Sequence, residues 1–441
     1  MSLELLQSTQ FKIQELTLVT KFGDFDISNI FQELNIFDSI FMPCIRGNIV
    51  ILDAVGLSKK LLFDGSEYIK ISIYKDINDK GTSISRAFRI YRQSDRKNSN
   101  QTSETYILYF TSEEKIYSEQ QKINQSFVGN HDKIAKNILA DYLAVDSSKL
   151  GWIEKTQGVH NVVMPNISPI DSLNWLTKRA LNSENLPNII FFENKAGFNF
   201  VSLSTLINLP AVFNINFQPK NISPNVGEEF LGARDVNALA QFDLIENIKN
   251  GVYAGKFIGF DTMTRQIKVD QIDYTRTYSQ GKHLNPKINI NASLNRKGFN
   301  NQQMFDSKVT LYPFFSTRVK SPYINANDST TANIIDDTHN YILQRRTILF
   351  NLMQSRVHMT LPGNFGISSG YNLFLKMPAR QVDDDTQEGL DKSLYGKYLI
   401  TATRHIIQYD KHETIVEVAT DSSNKPFTMT QTNSMKEVVK T

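Results

Sequence analysis

Apolar and polar positions alternate with a period of two through much of the first third of the chain. Phe11 to Leu18 alternates, Ile45 to Leu52 does so less strictly, and Tyr68 to Tyr74 repeats the pattern. Successive side chains of a strand point to opposite faces, so this alternation predicts strands with one buried face. The run Lys75 to Thr82, rich in Asp, Asn and Gly, predicts a turn. Strands over Ala87–Arg92 and Thr105–Phe110 follow across a second polar loop, 93–103. Several short strands separated by turn signals predict a barrel or sandwich.

The period changes near Asn130. Ile134, Ile138, Leu139, Tyr142 and Leu143 recur at helical spacing behind Asn130 as N-cap. A second helix starts at Ser168-Pro169, with Ser168 as N-cap and Pro169 at the first helical position; Ile170, Leu173, Trp175, Leu176 and Leu181 form its apolar face. Asn188 to Leu203 predicts a hairpin turning at Asn194-Lys195-Ala196-Gly197. Strand character returns from about Gln241, with Leu244–Phe260 read as a long strand or strand pair and Arg265–Tyr274 as another. Residues 275–335 are loop-rich, Thr338–Met353 predicts a helix, and Val357–Leu361, Tyr371–Met377, Lys397–Gln408 and Glu413–Ala419 predict a strand-rich end. A polar tail, 424–441, follows.

Composition narrows the class. At roughly 150 residues per domain, 441 residues suggest about three domains. Hydrophobic residues at 40% and charged ones at 21% place the chain among globular proteins. Cys44 is the only cysteine, so no internal disulfide forms. A net charge of +3 from 48 basic and 45 acidic residues lacks the basic stripe of a nucleic-acid binder, so direct sequence-specific nucleic-acid binding is not expected. No basic leader and no long apolar run is visible, so no membrane anchor is expected and synthesis is expected in a cytoplasm.

The search for chemistry singles out no catalytic residue. His131, His160, His283, His339, His358, His405 and His412 are scattered without a His-Glu-x-x-His pair, and one cysteine excludes a zinc knuckle, so neither a metal nor a cofactor site is expected. The loop Gly363–Gly370 lacks the Gly-Lys-Ser/Thr ending of a phosphate cradle and reads as a tight β-connection. Asp383-Asp384-Asp385 lacks the alternate spacing of an EF-hand and reads as a solvated loop. Cys44 follows Pro43 inside a strand-like run, there is no Gly-x-Ser-x-Gly elbow, and no carboxylate pair stands out from the many.

The order of certain segments carries more. Asp38-Ser39-Ile40-Phe41 precedes Arg46 to Asp53, a strand ending in Asp. Asp64-Gly65-Ser66-Glu67 then leads into the strand Tyr68–Ile73. Turn chemistry explains Asp64-Gly65, since Gly tolerates positive φ and Asp bonds the next backbone groups; Glu67 is expected at a strand start with its charge solvated. Asn166-Ile167-Ser168-Pro169-Ile170 leads into Leu173–Ala180, and Gly363-Asn364-Phe365 precedes Gly396-Lys397-Tyr398-Leu399-Ile400 and the strand through His405. Over about 35–75, 165–180 and 350–422 the chain resembles the baseplate hub proteins of T-even-like contractile-tailed phages, and more distantly the hub part of bacterial injection-system spikes.

The resemblance implies an α+β, mainly β fold: two similar β-barrel tube domains with two inserted or appended mixed α/β domains. The implied division is a first tube domain at 1–125, an α+β domain at 126–225, a discontinuous second tube domain at 226–274 and 350–425, an inserted mixed domain at 275–349 ending in a helix, and a polar tail at 426–441. It further implies a non-enzymatic structural subunit of the virion tail baseplate. Three copies would form a ring with pseudo-six-fold symmetry, joining the tail tube or a tube-initiator protein to a separate spike protein, with baseplate wedge proteins as further partners. Two other classes stay open: a glycan-binding tail module and, with less support, a peptidoglycan hydrolase. The loops at 93–103 and 379–393 lack the aromatic residues of a glycan platform.

Overall fold

The computed structural model describes residues 11–424 apart from 62, 76–82, 101–102, 218–231, 241–242, 262–264, 275–277, 279–280, 289–307, 315–340, 379–390 and 392–393. The fold is mainly β with few helices, as the alternation predicts. Seven strands open the chain: β1 (Lys12–Thr20), β2 (Gly23–Asp26), β3 (Phe31–Ser39), β4 (Arg46–Asp53), β5 (Tyr68–Tyr74), β6 (Ile84–Asn98) and β7 (Glu104–Thr111), with the short α1 (Leu57–Lys60) after β4. They are ordered β3-β4-β7-β6-β5-β1-β2, antiparallel throughout. Their inner faces share one core, including Leu16, Leu18, Leu34, Ile49, Ile51, Ile69, Ile71, Phe88, Leu108 and Phe110. Side chains of a flat sheet could not all meet in this way, so the sheet curls around its own apolar face.

A mixed region follows: α2 (Glu113–Glu119), β8 (Ser126–Gly129), α3 (His131–Asn137), β9 (Leu150–Ile153), β10 (His160–Val163), α4 (Pro169–Thr177), β11 (Ile189–Asn194), β12 (Gly197–Ser202) and α5 (Leu203–Asn208). Asn130 is the N-cap of α3, and a single π turn, Ile138–Tyr142, extends that helix. Ser168 caps α4 by accepting from the Asp171 N–H at 3.3 Å, and Pro169 stands at the first turn, both as expected. The predicted hairpin is β11–β12, turning at Asn194 to Gly197.

The remaining elements are β13 (Ala211–Phe217), β14 (Gly232–Ala233), β15 (Asp235–Ala240), α6 (Leu244–Lys249), β16 (Ala254–Asp261), β17 (Ile267–Asp273), β18 (Lys287–Ile288), β19 (Lys308–Phe314), α7 (Ile342–Leu352), β20 (Ser355–Pro362), β21 (Asn372–Lys376), β22 (Gly396–Gln408), β23 (His412–Thr420) and β24 (Ser422–Ser423). The run Leu244–Phe260 departs from expectation: a helix precedes the strand. Asp243 accepts the Glu246 N–H at 2.9 Å and so caps a helix start that a strand reading overlooks.

Both strand-rich ends of the chain belong to one 14-stranded sheet, and no closed barrel separates from it among the described residues. β22 joins them. Its first residues pair with β21 (Asn372 opposite Leu399), its later ones with β3 (Ala402 opposite Ser39), and its other edge with β23. Around the second end, β13 runs parallel to β21, although β13 falls within the span 126–225 expected to be α+β. β14 pairs with β13 and β15 with β20. A second aliphatic core, with Val357, Met359, Leu373, Ile400 and Val416, fills this end. β16, β17 and β19 form a separate three-stranded sheet.

Candidate functional site

The segments that carry the resemblance are first of all builders of turns and joints. Asp53 accepts the N–H groups of Val55 (3.0 Å), Gly56 (2.7 Å) and Ser58 (2.8 Å), fixing the exit from β4. Gly65 adopts φ +86°, as the Asp-Gly turn requires, and Asp64 accepts the Ser66 N–H at 2.9 Å. Glu67 differs from expectation. It is 2% exposed and accepts the N–H groups of Asp64 (3.2 Å) and Gly65 (2.9 Å), so its carboxylate is spent inside the turn and not solvated.

Asp38 leads to the joint between the regions. It accepts from the Ser368 and Thr403 hydroxyls and from the Ser369 N–H at 3.3 Å, which binds β3, the 363–370 loop and β22 together. Close by, Glu193 of β11 receives Arg86 Nη1 of β6 at 2.7 Å on one oxygen. Its other oxygen accepts the Ile45 N–H at 2.9 Å and the Ser112 hydroxyl. Arg86 Nη2 also donates to the carbonyls of Asn194 (3.2 Å) and Lys195 (2.8 Å). The Asn194 amide donates to Ser369 O at 2.8 Å. Each of the two carboxylates thus gathers chain from three or more parts of the sequence.

Burial pushes Asp38 up to about 7, against the hydrogen bonds of Ser368 and Ser369. Burial also raises Glu193, with the Arg86 charge opposing. This looks superficially like a carboxylate pair for acid–base chemistry, where a raised acid sits beside an ionised partner. The geometry argues otherwise, because all four oxygens are already engaged by protein donors and both residues are buried. A catalytic carboxyl needs an oxygen that reaches a substrate.

Four of the described histidines form two His–His pairs, and two others meet carboxylates. His131 and His160 pack with tilted rings 4.3 Å apart between centres, and His358 lies 3.4 Å from Glu417. His283 Nδ1 lies 2.7 Å from the Asp421 carboxylate and Nε2 2.6 Å from the Tyr278 carbonyl. Burial opposes charge on that ring, but the Asp421 hydrogen bond and charge outweigh it and raise its pKa. With an acceptor oxygen at each nitrogen the ring is held in place between them, on the border of a cavity of about 50 Å³. His405 and His412 meet across the β22–β23 hairpin, Nδ1 to Nε2 at 3.3 Å, under the ring of Phe365. A Cβ at Gly363 would stand 2.1 Å from His412 Cγ, so only glycine lets the 363–370 loop lie on the pair. Lys75 donates to the Gly363 carbonyl at 2.9 Å. Among the described residues no group of three or more His, Cys, Asp or Glu side chains is placed to hold a metal, and His339 and Asp383–Asp385 lie outside them.

Cys44 lies in the connection before β4 and not in a strand; burial raises its thiol pKa, so it is a poor nucleophile at neutral pH. The 363–370 loop is the tight β-connection expected, running from β20 to β21. Sequence reasoning passed over Arg86 and Glu193. A signal was present for Glu193: it is a lone charge after the apolar run Ile189-Ile190-Phe191-Phe192. A cleft of about 580 Å³ opens between β9 and the start of β21, with Trp152, Tyr371 and Lys136 on its wall. No helix among the described residues is long and apolar enough to cross a membrane.

No family model and no curated protein sequence matches the chain. Among solved structures it is similar to the tail protein from Neisseria meningitidis MC58, at 9% identity over 93% of this chain and 97% of that one, with a TM-score of 0.49. The 43 kDa tail protein of prophage MuSo2 from Shewanella oneidensis matches at 9% identity over 94% and 100%, again with a TM-score of 0.49. The E. coli c3393 protein is described as a component of the type VI secretion system with structural similarity to the T4 tail proteins gp27 and gp5. It matches at 8% identity over 95% of this chain and 79% of that one, with a TM-score of 0.42.

Proposed function

We propose that this chain is the central hub subunit of a contractile phage-tail baseplate, a structural protein that works as a ring of three copies. In this reading residues 1–125 form one tube domain and 226–274 with 350–425 a second, similar one. Residues 126–225 and 275–349 are the mixed domains set between them. Six tube domains from three chains would give a three-fold object pseudo-six-fold symmetry, matching a six-fold tail tube to a three-fold, separately encoded spike. Tube or tube-initiator, spike and wedge proteins would be its partners, and the virion tail its location.

One observation supports this most: β22 is shared, its start serving one strand-rich end and its finish the other. An arc of a ring needs its two modules held at a fixed angle. A continuous strand, reinforced by the buried Asp38 that ties β3 to the 363–370 loop and to β22, is a stiff way of holding them. The engagement of every Asp38 and Glu193 oxygen by protein donors weighs against these two as the acid–base pair of a hydrolase. A glycan-binding module keeps one point in its favour, the 44% exposed Trp152 on the wall of the large cleft.

Light scattering on the purified chain tests the reading. A mass near three times 50.3 kDa is expected, either alone or on adding the spike chain. A monomer that stays monomeric with the spike present would defeat it. Saturable binding of cell-wall glycans that is lost in Trp152→Ala would favour the module instead.

A further inference from the structure

Among the described residues, the small sheet of β16, β17 and β19 has one covered face and one exposed one. On the covered side, Phe257 and Ile272 pack on Leu343 of α7, all under 9% exposed, and Arg346 of α7 donates to Thr310 of β19 at 3.0 Å. The register sets the opposite face. Ile267 lies opposite Phe260, Val269 opposite Ile258 with Leu311 on its far side, and Lys256 lies beside Val309. Residues directly opposite in register share a face, so these rows form one continuous apolar surface.

Its exposures are large: Leu311 74%, Ile267 69%, Val269 52%, Val309 51% and Phe260 45%. At such values the five side chains present roughly 500 Å² of apolar surface, the size of the largest patch on a typical monomer, which is often functional. The chain had a polar alternative, since Lys268 and Asp270 occupy the positions between Ile267, Val269 and Gln271 on β17. A shift of one residue would have turned them outward.

We infer that this face contacts a second copy of the same chain, and the inference rests on the ring reading for the presence of that copy. Two observations point to self-association. The polar members of the face are Lys256 and Gln271, both in its end row, with no acidic side chain among the named positions. Lys256 is the one charged member and stands in the end row, so the apolar centre offers little to select a partner by charge and little to repel another copy. The area is the second. Two surfaces of this size bury about 1,000 Å², which is the lower bound for a specific interface. That is too little to build a stable complex alone and suits an added contact between chains already held together elsewhere.

Two measurements test this together. The first compares the mass of the wild-type chain with that of Val269→Asp/Leu311→Asp across a dilution series, with circular dichroism to confirm folding. The second follows maleimide labelling of Leu311→Cys, whose only other thiol, Cys44, is buried. We expect the double variant to dissociate at about tenfold or more higher concentration than wild type. Labelling should be slow in the assembled protein and fast after dilution. A wild-type oligomer that the double variant leaves unchanged overturns this face and leaves the ring standing. Labelling equally fast in both states does the same, and labelling equally slow in both shows the face covered by its own chain, which also overturns it. A wild type that is monomeric at every concentration, with the spike present, overturns the ring and the face with it.

Discussion

The curled sheet of β1–β7 and the small sheet of β16, β17 and β19 use the same alternation to opposite ends. In β4 the apolar members of the pattern, Ile49 and Ile51, are 0% exposed. In β17 they are the outward ones, Ile267 and Val269, while Ile272 alone turns toward the helix. Alternation establishes that a strand has two unlike faces; it does not say which face finds cover. Seven twisted strands curl far enough for every inner side chain to meet the others. Three strands cannot, and depend on something laid across them. Among the described residues α7 covers one side and leaves the other exposed.

The two sheets are also tied differently to the rest of the molecule, and this is where the largest effect is expected. The curled sheet is joined through the buried Arg86–Glu193 pair. The small one is reached through α7, whose Arg345 donates to the Pro187 and Ile189 carbonyls and whose preceding Tyr341 donates to Arg179 O. Arg86→Met leaves Glu193 buried without its cation, at a cost of about 3–5 kcal/mol in denaturant unfolding. Adding Glu193→Met should recover much of that loss, because no charge then remains to be buried. If the single variant unfolds like wild type, the joint is not held by this pair.

How much of this was legible can be judged from these residues. The strands and the capped start of α4 follow from local rules, since Ser168-Pro169 and the alternation of β4 act within a few residues. Asp38 was noticed only as part of a resemblance, and its partners Ser368 and Thr403 stand more than 300 residues away. Arg86 and Glu193 are separated by 107 positions, and nothing near Arg86 marks it apart from other charged residues on strands. A buried ion pair is a tertiary fact. Glu67 misled for the related reason that a carboxylate at a strand start can be spent on its own turn. Leu244–Phe260 misled because Leu244, Ile245 and Ile248 fit either period, and the decisive cap is one residue earlier, at Asp243.

A smaller and pH-dependent effect sharpens the comparison, because the joint holds titrating groups of opposite tendency. Burial lowers His405 to about 3, and burial together with the charges of His405 and Lys75 drives His412 well below its ordinary value. Unfolded histidines titrate near ~6.5, so below that pH the unfolded chain binds more protons and stability falls as acid is added. Asp38 acts the other way. Its folded value of about 7 lies above the unfolded ~3.9, so its contribution is full at low pH and lost as pH rises through about 7. Each group changes stability by at most about 1.4 kcal/mol per pH unit. Between roughly pH 6 and 4, Asp38→Asn should therefore steepen the loss of stability on acidification by about one proton. Urea titrations at stepped pH would read this, and parallel slopes in the two proteins would show that Asp38 is ionised at neutral pH.

The smallest effect is the most discriminating for the two sheets. Ile267→Thr keeps a β-branched side chain, so strand propensity is little changed, and it removes apolar surface that a single chain leaves 69% exposed. In the dissociated chain the change in unfolding free energy should stay within about 0.5 kcal/mol, as for surface positions in general. The same substitution at Ile49, 0% exposed among the side chains of the curled core, would place a hydroxyl where no water reaches. If Ile267→Thr cost as much in the monomer as a core change, the outward face would already be buried within one chain. The contrast between a sheet that curls over its own core and one that waits for a neighbour would then collapse.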